Sequence, residues 1–78
     1  MIESKIKALI KLANTTQANI SESLNTTPQS FGRKIKTSNL NVAELIKFAD
    51  LVGCEIHFVD KKTKETVIKL NESDLENK

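Results

Sequence analysis

Residues 16–36 constrain the fold of this chain more than any other segment. Thr16 is a suitable N-cap for a short helix. Asn25 follows where the chain has to turn sharply, and asparagine tolerates left-handed backbone better than most residues. Thr27 and Pro28 then form a strong start signal for another helix, because proline suits the first helical turn. The segment therefore predicts two short helices joined by a tight turn.

Helical patterns continue on both sides of this pair. Before it, apolar residues recur at helical spacing with lysines on the other faces, which predicts a helix ending near Asn14. After it, Asn41 and Glu44 form a capping-box pattern at the start of a further helix, and Gly53 stands where that helix should end. The inward residues expected of this further helix are Val42, Leu45, Ile46, Ala49 and Val52.

The hydrophobic period changes near residue 54. Ile56 and Phe58 alternate with polar residues, and an apolar run containing Ile68 follows a polar turn. Alternation of this kind on both sides of a turn predicts a β-hairpin. An isolated two-stranded ribbon is marginal in water, so we expect the hairpin to pack on the helices or on another copy of the chain.

A length of 78 residues accommodates a single domain. We expect a mainly α fold over residues 1–70, with four to five helices in residues 1–53 and a C-terminal β-hairpin in residues 54–70. Residues 71–78 have little to bury, and we expect them to fray.

Composition excludes several classes of function. No apolar run is long enough to span a membrane, and the N-terminus lacks the apolar core of a signal peptide. Cys54 and His57 are too few for a zinc site or for a nucleophile and its base, and no glycine-rich phosphate loop is present. We expect Cys54 to be buried at the strand start and His57 to lie on the strand surface or to pack at an interface. We expect the chain to be cytoplasmic and not to be an enzyme. We expect no cofactor, metal, membrane or small-molecule partner.

The second helix of the pair carries one polar, cationic face. Gln29, Arg33 and Lys36 share that face at helical spacing, opposite Phe31 and Ile35. Glutamine can bond an adenine edge at two positions, and arginine or lysine can do the same with guanine. An ordinary solvated helix face also favours these residue types, so both interpretations stay open on the residues of this helix alone.

Taken together, the two short helices and the turn between them resemble a known family. Thr16 and Gln17 open the first helix, Ile20 and Leu24 lie inside it, and Phe31 occupies the buried position of the second helix. These features resemble the helix-turn-helix of the lambda-repressor-like, Cro/repressor (XRE-type) DNA-binding domains. The resemblance covers roughly residues 1–53.

The turn departs from the pattern of that family. Ser21 stands where a small alanine is usual, Asn25 where a glycine is usual, and Thr26 where a hydrophobic residue is usual. Serine is small enough for a helix contact, and asparagine can adopt the glycine conformation at modest cost. The departures weaken the match without contradicting it.

The resemblance implies a lambda-repressor-like helix-turn-helix fold and a sequence-specific double-stranded DNA-binding transcription regulator. It implies a small repressor of phage or mobile-element type that reads the major groove with residues 28–36. The residues expected at base edges are Pro28, Gln29, Ser30, Gly32, Arg33 and Lys36. The residues expected at phosphates are Thr16, Gln17, Lys34, Ser38 and Asn39. For Ser38 and Asn39, a loop without any partner is an equal alternative.

Three features admit alternatives. Gly32, unfavourable inside a helix, allows either close approach of DNA or close packing against a neighbouring helix. Ile56, Phe58 and Ile68 either form the interface of a homodimer, with two recognition helices on one DNA face, or cover the helical core of one monomer. The whole domain could also be a protein-interaction module, such as an anti-repressor or adaptor, that keeps the fold without binding DNA.

Overall fold

The structure is a computed structural model that describes residues 2–75. It contains α1 (Ile2–Leu12), α2 (Gln17–Ser23), α3 (Pro28–Lys36), α4 (Val42–Leu51), β1 (Ile56–Val59), β2 (Thr66–Leu70) and a 3-10 helix (Glu72–Leu75). The mainly α fold with a C-terminal β-hairpin is therefore confirmed. Over the described part of the chain, no helix is both long enough and apolar enough to cross a membrane.

Side chains at the predicted positions cap three of the helices. Thr16 and Thr27 each accept a hydrogen bond from the backbone N–H three residues later, at 3.1 Å. Asn41 accepts from the Glu44 N–H at 2.8 Å, and the Glu44 carboxylate accepts from the Asn41 N–H at 3.0 Å. These bonds satisfy N–H groups that have no partner inside a helix, so the local sequence fixes where α2, α3 and α4 begin.

The four α-helices are also followed by the same kind of turn. A residue with positive φ comes shortly after each, namely Asn14 (57°), Asn25 (60°), Ser38 (57°) and Gly53 (74°). The next N–H then bonds back to a carbonyl in the last turn, as Asn39 does to Lys34 at 2.7 Å. Three of these positions carry the glycine or asparagine that left-handed backbone favours, whereas Ser38 does not.

Replacing Ser38 by glycine is expected to stabilise the domain. Left-handed backbone costs an L-residue roughly 1 kcal/mol, and glycine removes most of that cost. We expect Ser38→Gly to raise the free energy of unfolding by about 0.5–1 kcal/mol, measured by urea denaturation. Asn39→Gly, one residue later at a position without positive φ, should not stabilise. Equal effects of the two changes would contradict the strain at Ser38.

The hydrophobic core lies between the helices. It consists of Ile6, Ile10, Ile20, Phe31, Ile35 and Phe48, with Leu9, Leu24, Leu40, Leu45 and Val52 packed around it. The rings of Phe31 and Phe48 pack with their centroids 6.2 Å apart. Aromatic pairs at this separation add to the energy of burial. The core therefore ties α3 to α4 as well as to α1 and α2.

Two positions of α4 differ from the prediction. Val42 was expected inside and is 66% exposed, whereas Phe48 was not among the expected inward residues and is 1% exposed. Val42 is the first residue of α4, and the buried stripe of that helix begins one turn later, near Leu45. The prediction is confirmed for Leu45, Ile46, Ala49 and Val52, but it began the stripe one turn too early and missed its largest member.

The hairpin has the predicted antiparallel pairing but does not cover the helical core. Ile56 pairs with Leu70 and Phe58 with Ile68, followed by an irregularity after Phe58. The pair Ile56–Leu70 is half-buried at the base of the hairpin, whereas Phe58 is 57% and Ile68 54% exposed. The alternative in which this face covers the core of one monomer is therefore wrong for Phe58 and Ile68.

Cys54 is also exposed, against the expectation that it would be buried. It follows Gly53, where the chain leaves α4, and the hairpin that it leads into turns most of its surface to solvent. Burial at this position would need a strand packed on the helices. His57 is exposed, as expected for the strand surface, and its Nε2 lies 3.2 Å from the Glu55 carboxylate.

The tail was expected to fray from residue 71, but Glu72–Leu75 form a 3-10 helix. The Asn71 N–H donates to the Asp74 carboxylate at 2.8 Å, and the Asn71 side chain accepts from the Ser73 N–H at 3.0 Å. The turn also contacts α4. These local hydrogen bonds order the segment without a buried side chain. The remainder of the expected frayed tail, residues 76–78, lies outside the described residues.

Candidate nucleic-acid interface

The turn between α2 and α3 forms despite its atypical residues. Ser21 is fully buried, and its hydroxyl donates to the Ala18 carbonyl at 2.9 Å. Asn25 adopts the left-handed conformation, and the Thr26 N–H closes the turn by donating to the Ser21 carbonyl at 2.9 Å. Two of the three departures from the usual residue types are therefore accommodated, since the polar atom of Ser21 is satisfied and Asn25 supplies the positive φ.

The polar face of α3 points to solvent. Gln29, Arg33 and Lys36 are exposed, and none of the three side chains has a hydrogen bond or ion pair among residues 2–75. On the opposite side, Phe31 and Ile35 are 1% and 0% exposed. The buried side anchors α3 in the core, and the exposed side presents one amide and two cations to solvent.

Gln17 of α2 lies across the N-terminal half of α3. Its Nε2 donates to the Pro28 carbonyl at 3.4 Å. A Cβ built on Gly32 would lie 3.1 Å from the same Nε2. The end of the Gln17 side chain therefore occupies the space beside Gly32, as the packing alternative expects. The base-edge roles of Gly32 and Ser30 stay predictions, and Ser30 is half-buried.

The remaining predicted phosphate residues lie at the ends of the helix pair. Thr16 is exposed, and its hydroxyl oxygen is occupied as the cap of α2. Ser38 and Asn39 are exposed in the turn after α3. Thr16 and Gln17 thus lie at the start of α2, and Ser38 and Asn39 follow the end of α3. In sequence, the exposed face of α3 lies between these two pairs of residues.

Lys34 differs from the other cations of α3. Its ammonium forms an ion pair with the Glu44 carboxylate, and the two side chains are 36% and 26% exposed. The hydrogen bond from Lys34, followed by that from the Asn41 N–H, lowers the pKa of Glu44 below its ordinary value. Lys34 is therefore directed to α4. The capping-box pattern identified Glu44 as a cap, but not as the residue that connects α3 to α4.

This ion pair predicts a pH dependence of stability. The pKa of Glu44 is lowered in the folded state. The stability that its carboxylate contributes is therefore present above the ordinary pKa of 4.5 and is lost as the pH falls through the folded pKa. Solvent screening limits the contribution to less than about 1 kcal/mol. We expect Glu44→Gln to be less stable than the wild type at neutral pH and to lose less stability on acidification.

Urea denaturation at neutral and acidic pH measures this difference. Glu22→Gln is the matched control, because Glu22 is exposed and forms no ion pair with any residue the structure describes. The control should follow the wild type at both pH values. If Glu44→Gln and the wild type lose equal stability on acidification, the ion pair does not contribute.

The part of the chain that carries α3 has an excess of positive charge. Residues 27–39 contain three cations and no acid. With Lys34 paired to Glu44, the unpaired cations of α3 within the described structure are Arg33 and Lys36. Both lie on the face that also carries Gln29.

Comparison with known proteins gives no match. No protein-family model matches the chain, and no curated protein or solved structure matches it.

Proposed function

We propose that the chain is a sequence-specific double-stranded DNA-binding protein that places α3 in the major groove. The observation that carries this proposal is the division of α3 into two sides. Phe31 and Ile35 are buried, while Gln29, Arg33 and Lys36 are exposed and unpaired within the described part of the chain. A short helix presented in this way by a preceding helix and a tight turn is the arrangement used by helix-turn-helix proteins.

The three exposed side chains have the chemistry for reading bases. The Arg33 guanidinium can bond the O6 and N7 atoms of a guanine, and the Gln29 amide can bond the N6 and N7 atoms of an adenine. Since α3 has nine residues, it is about 13 Å long and can cross roughly four base pairs. Lys36, one turn after Arg33, reaches a further base or the adjacent phosphate.

Contacts to the DNA phosphates are proposed for the residues at the start of α2 and after the end of α3. The Gln17 amide has two N–H donors, and one of them is used by the Pro28 carbonyl. The other can bond a phosphate beside Gly32, where α3 has no side chain. Thr16, Ser38 and Asn39 are exposed and can add weaker contacts. Contacts of this kind fix the register of α3 in the groove without selecting a sequence.

The biological role follows from this activity. A small domain that occupies a DNA sequence can block transcription by competition, as the resemblance to Cro/repressor domains implies. We therefore propose a small repressor of phage or mobile-element type, acting in the cytoplasm. A reducing compartment would keep the exposed thiol of Cys54 reduced.

Selection of bound duplexes from a random-sequence library tests the proposal. We expect enrichment of a short motif with guanine and adenine at the positions read by Arg33 and Gln29. A protein prepared with Gln29→Ala should relax selection at one position of that motif and leave the others. Recovery of the input library without enrichment would contradict sequence-specific binding. A chain that bound no duplex at all would instead be a protein-interaction module of the anti-repressor or adaptor type.

A further inference from the structure

The carboxylate of Glu44 is held on two sides in the first turn of α4. Its Oε1 atom accepts the N–H of Asn41 at 3.0 Å, as part of the capping box. Its Oε2 atom pairs with the ammonium of Lys34 on α3. Because the cap fixes the carboxylate against the end of α4, Lys34 is bound by an anchored partner. The pair therefore draws one cation of α3 towards α4.

Lys34 is also placed to contact a DNA phosphate. Successive residues of an α-helix are about 100° apart, so Lys34 lies roughly a quarter-turn around α3 from Arg33. An α-helix fills a major groove about 12 Å wide, so with Arg33 at the base edges Lys34 faces one wall of the groove, where the phosphates lie. The Lys34 side chain is 36% exposed. A phosphate and the Glu44 carboxylate can therefore compete for the same ammonium.

The release of Lys34 does not leave Glu44 without partners. The N–H of Asn41 stays bound to the carboxylate, and the exposed cation Lys47 lies three residues after Glu44, on the next turn of α4. A partly exposed ion pair of this kind changes a binding constant by at most about fivefold. The pair with Glu44 is thus strong enough to weaken a contact of Lys34 with a phosphate and too weak to prevent it.

We propose that Glu44 is a positioning residue that competes with DNA phosphates for Lys34 and thereby lowers the affinity of the chain for any duplex. The inference rests on the proposed DNA binding and adds to it a residue of α4 that acts through Lys34. A phosphate contact carries no sequence information, so Glu44 sets the strength of binding and not the sequence preference.

Fluorescence anisotropy of the full chain with a random-sequence duplex at about 50 mM salt tests the competition. The proteins compared are the wild type, Glu44→Gln, Lys34→Ala and the double variant. Glutamine keeps an oxygen that can accept the Asn41 N–H, so Glu44→Gln removes the ion pair and leaves the cap. We expect Glu44→Gln to bind about two- to fivefold more tightly than the wild type.

The effect of Lys34→Ala should depend on Glu44. We expect a loss of less than about twofold in the wild type and of about threefold or more in Glu44→Gln, where Lys34 is free to contact a phosphate. The slope of log affinity against log salt should be steeper by about one in Glu44→Gln than in the wild type. That increase should disappear in the double variant.

Repulsion between Glu44 and the phosphates is the other possible cause of tighter binding by Glu44→Gln. Repulsion alone predicts an equal or larger gain once Lys34 is removed, because Glu44 then lacks its cation, whereas competition predicts a smaller gain. Glu22→Gln is the matched control, since Glu22 is exposed and forms no ion pair within residues 2–75. Its effect should be the same with and without Lys34→Ala.

A second comparison needs no change at Glu44. Lys36 is an exposed cation of α3 without an ion pair in the described part of the chain, so Lys36→Ala should cost the wild type more affinity than Lys34→Ala. Circular dichroism shows whether each variant is folded. Equal losses for these two variants, or equal effects of Lys34→Ala with and without Glu44→Gln, would overturn the competition and leave the proposed function intact. Absence of binding by every folded protein would contradict the proposed function, and the competition with it.

Discussion

Replacing Phe31 by alanine is expected to lower the free energy of unfolding by about 3–5 kcal/mol. Phe31 is 1% exposed, and its ring packs against Phe48 with centroids 6.2 Å apart. Truncation would leave a cavity between α3 and α4. Small domains have only about 5–15 kcal/mol of stability in total, so this change should remove much of it.

Urea denaturation followed by circular dichroism measures the effect of Phe31→Ala. Leu12→Ala is the matched control, because Leu12 is an apolar residue that is 83% exposed. Its truncation should change stability by less than about 0.5 kcal/mol. If Phe31→Ala and Leu12→Ala had equal effects, α3 would not be anchored in the core as described.

Replacing Arg33 by alanine is expected to weaken binding to the selected DNA sequence by about 1–3 kcal/mol, the value of a bidentate contact to one base. This corresponds to roughly a 5- to 150-fold loss of affinity. Because Arg33 is exposed and unpaired within residues 2–75, the fold should be unaffected. Binding to an unrelated duplex should weaken less, since a base contact carries specificity rather than general attraction.

Lys34→Ala is the control for Arg33→Ala, because it removes one positive charge from the neighbouring position of the same helix. The ammonium of Lys34 is paired with Glu44, so we expect a smaller effect on specific binding than for Arg33→Ala. Fluorescence anisotropy of the wild type and both variants, each with the selected and the unrelated duplex, gives the affinities to compare. If Arg33→Ala lost equal affinity for both duplexes, Arg33 would be a phosphate contact. If Arg33→Ala and Lys34→Ala lost equal affinity for the selected duplex, Arg33 would contribute only its positive charge.

Features fixed by neighbouring residues could be predicted from the sequence. Thr16, Thr27 and Asn41 cap helices through bonds to N–H groups three residues later, and Asn25 adopts the left-handed conformation expected of its residue type. Such interactions need only the local chain. The shared face of the cationic helix also follows from its period alone.

Features that depend on distant parts of the chain could not be predicted in this way. Whether Val42 or Phe48 is buried depends on where α3 lies against α4. The pair of Lys34 with Glu44 joins two helices whose relative position is set by the core. The exposure of Cys54 reflects a hairpin that stands away from the helices, and no local pattern determines where a hairpin docks.

Titration of a fluorescent random-sequence duplex at low and at physiological salt tests DNA binding by this chain most directly. A protein that neutralises phosphates releases counterions, so the observed affinity should fall about tenfold or more between about 50 and 200 mM salt. Removing both unpaired cations of α3, in Arg33→Ala with Lys36→Ala, should make that dependence shallower. Absence of binding by the folded wild type at the lower salt concentration would contradict the proposed function.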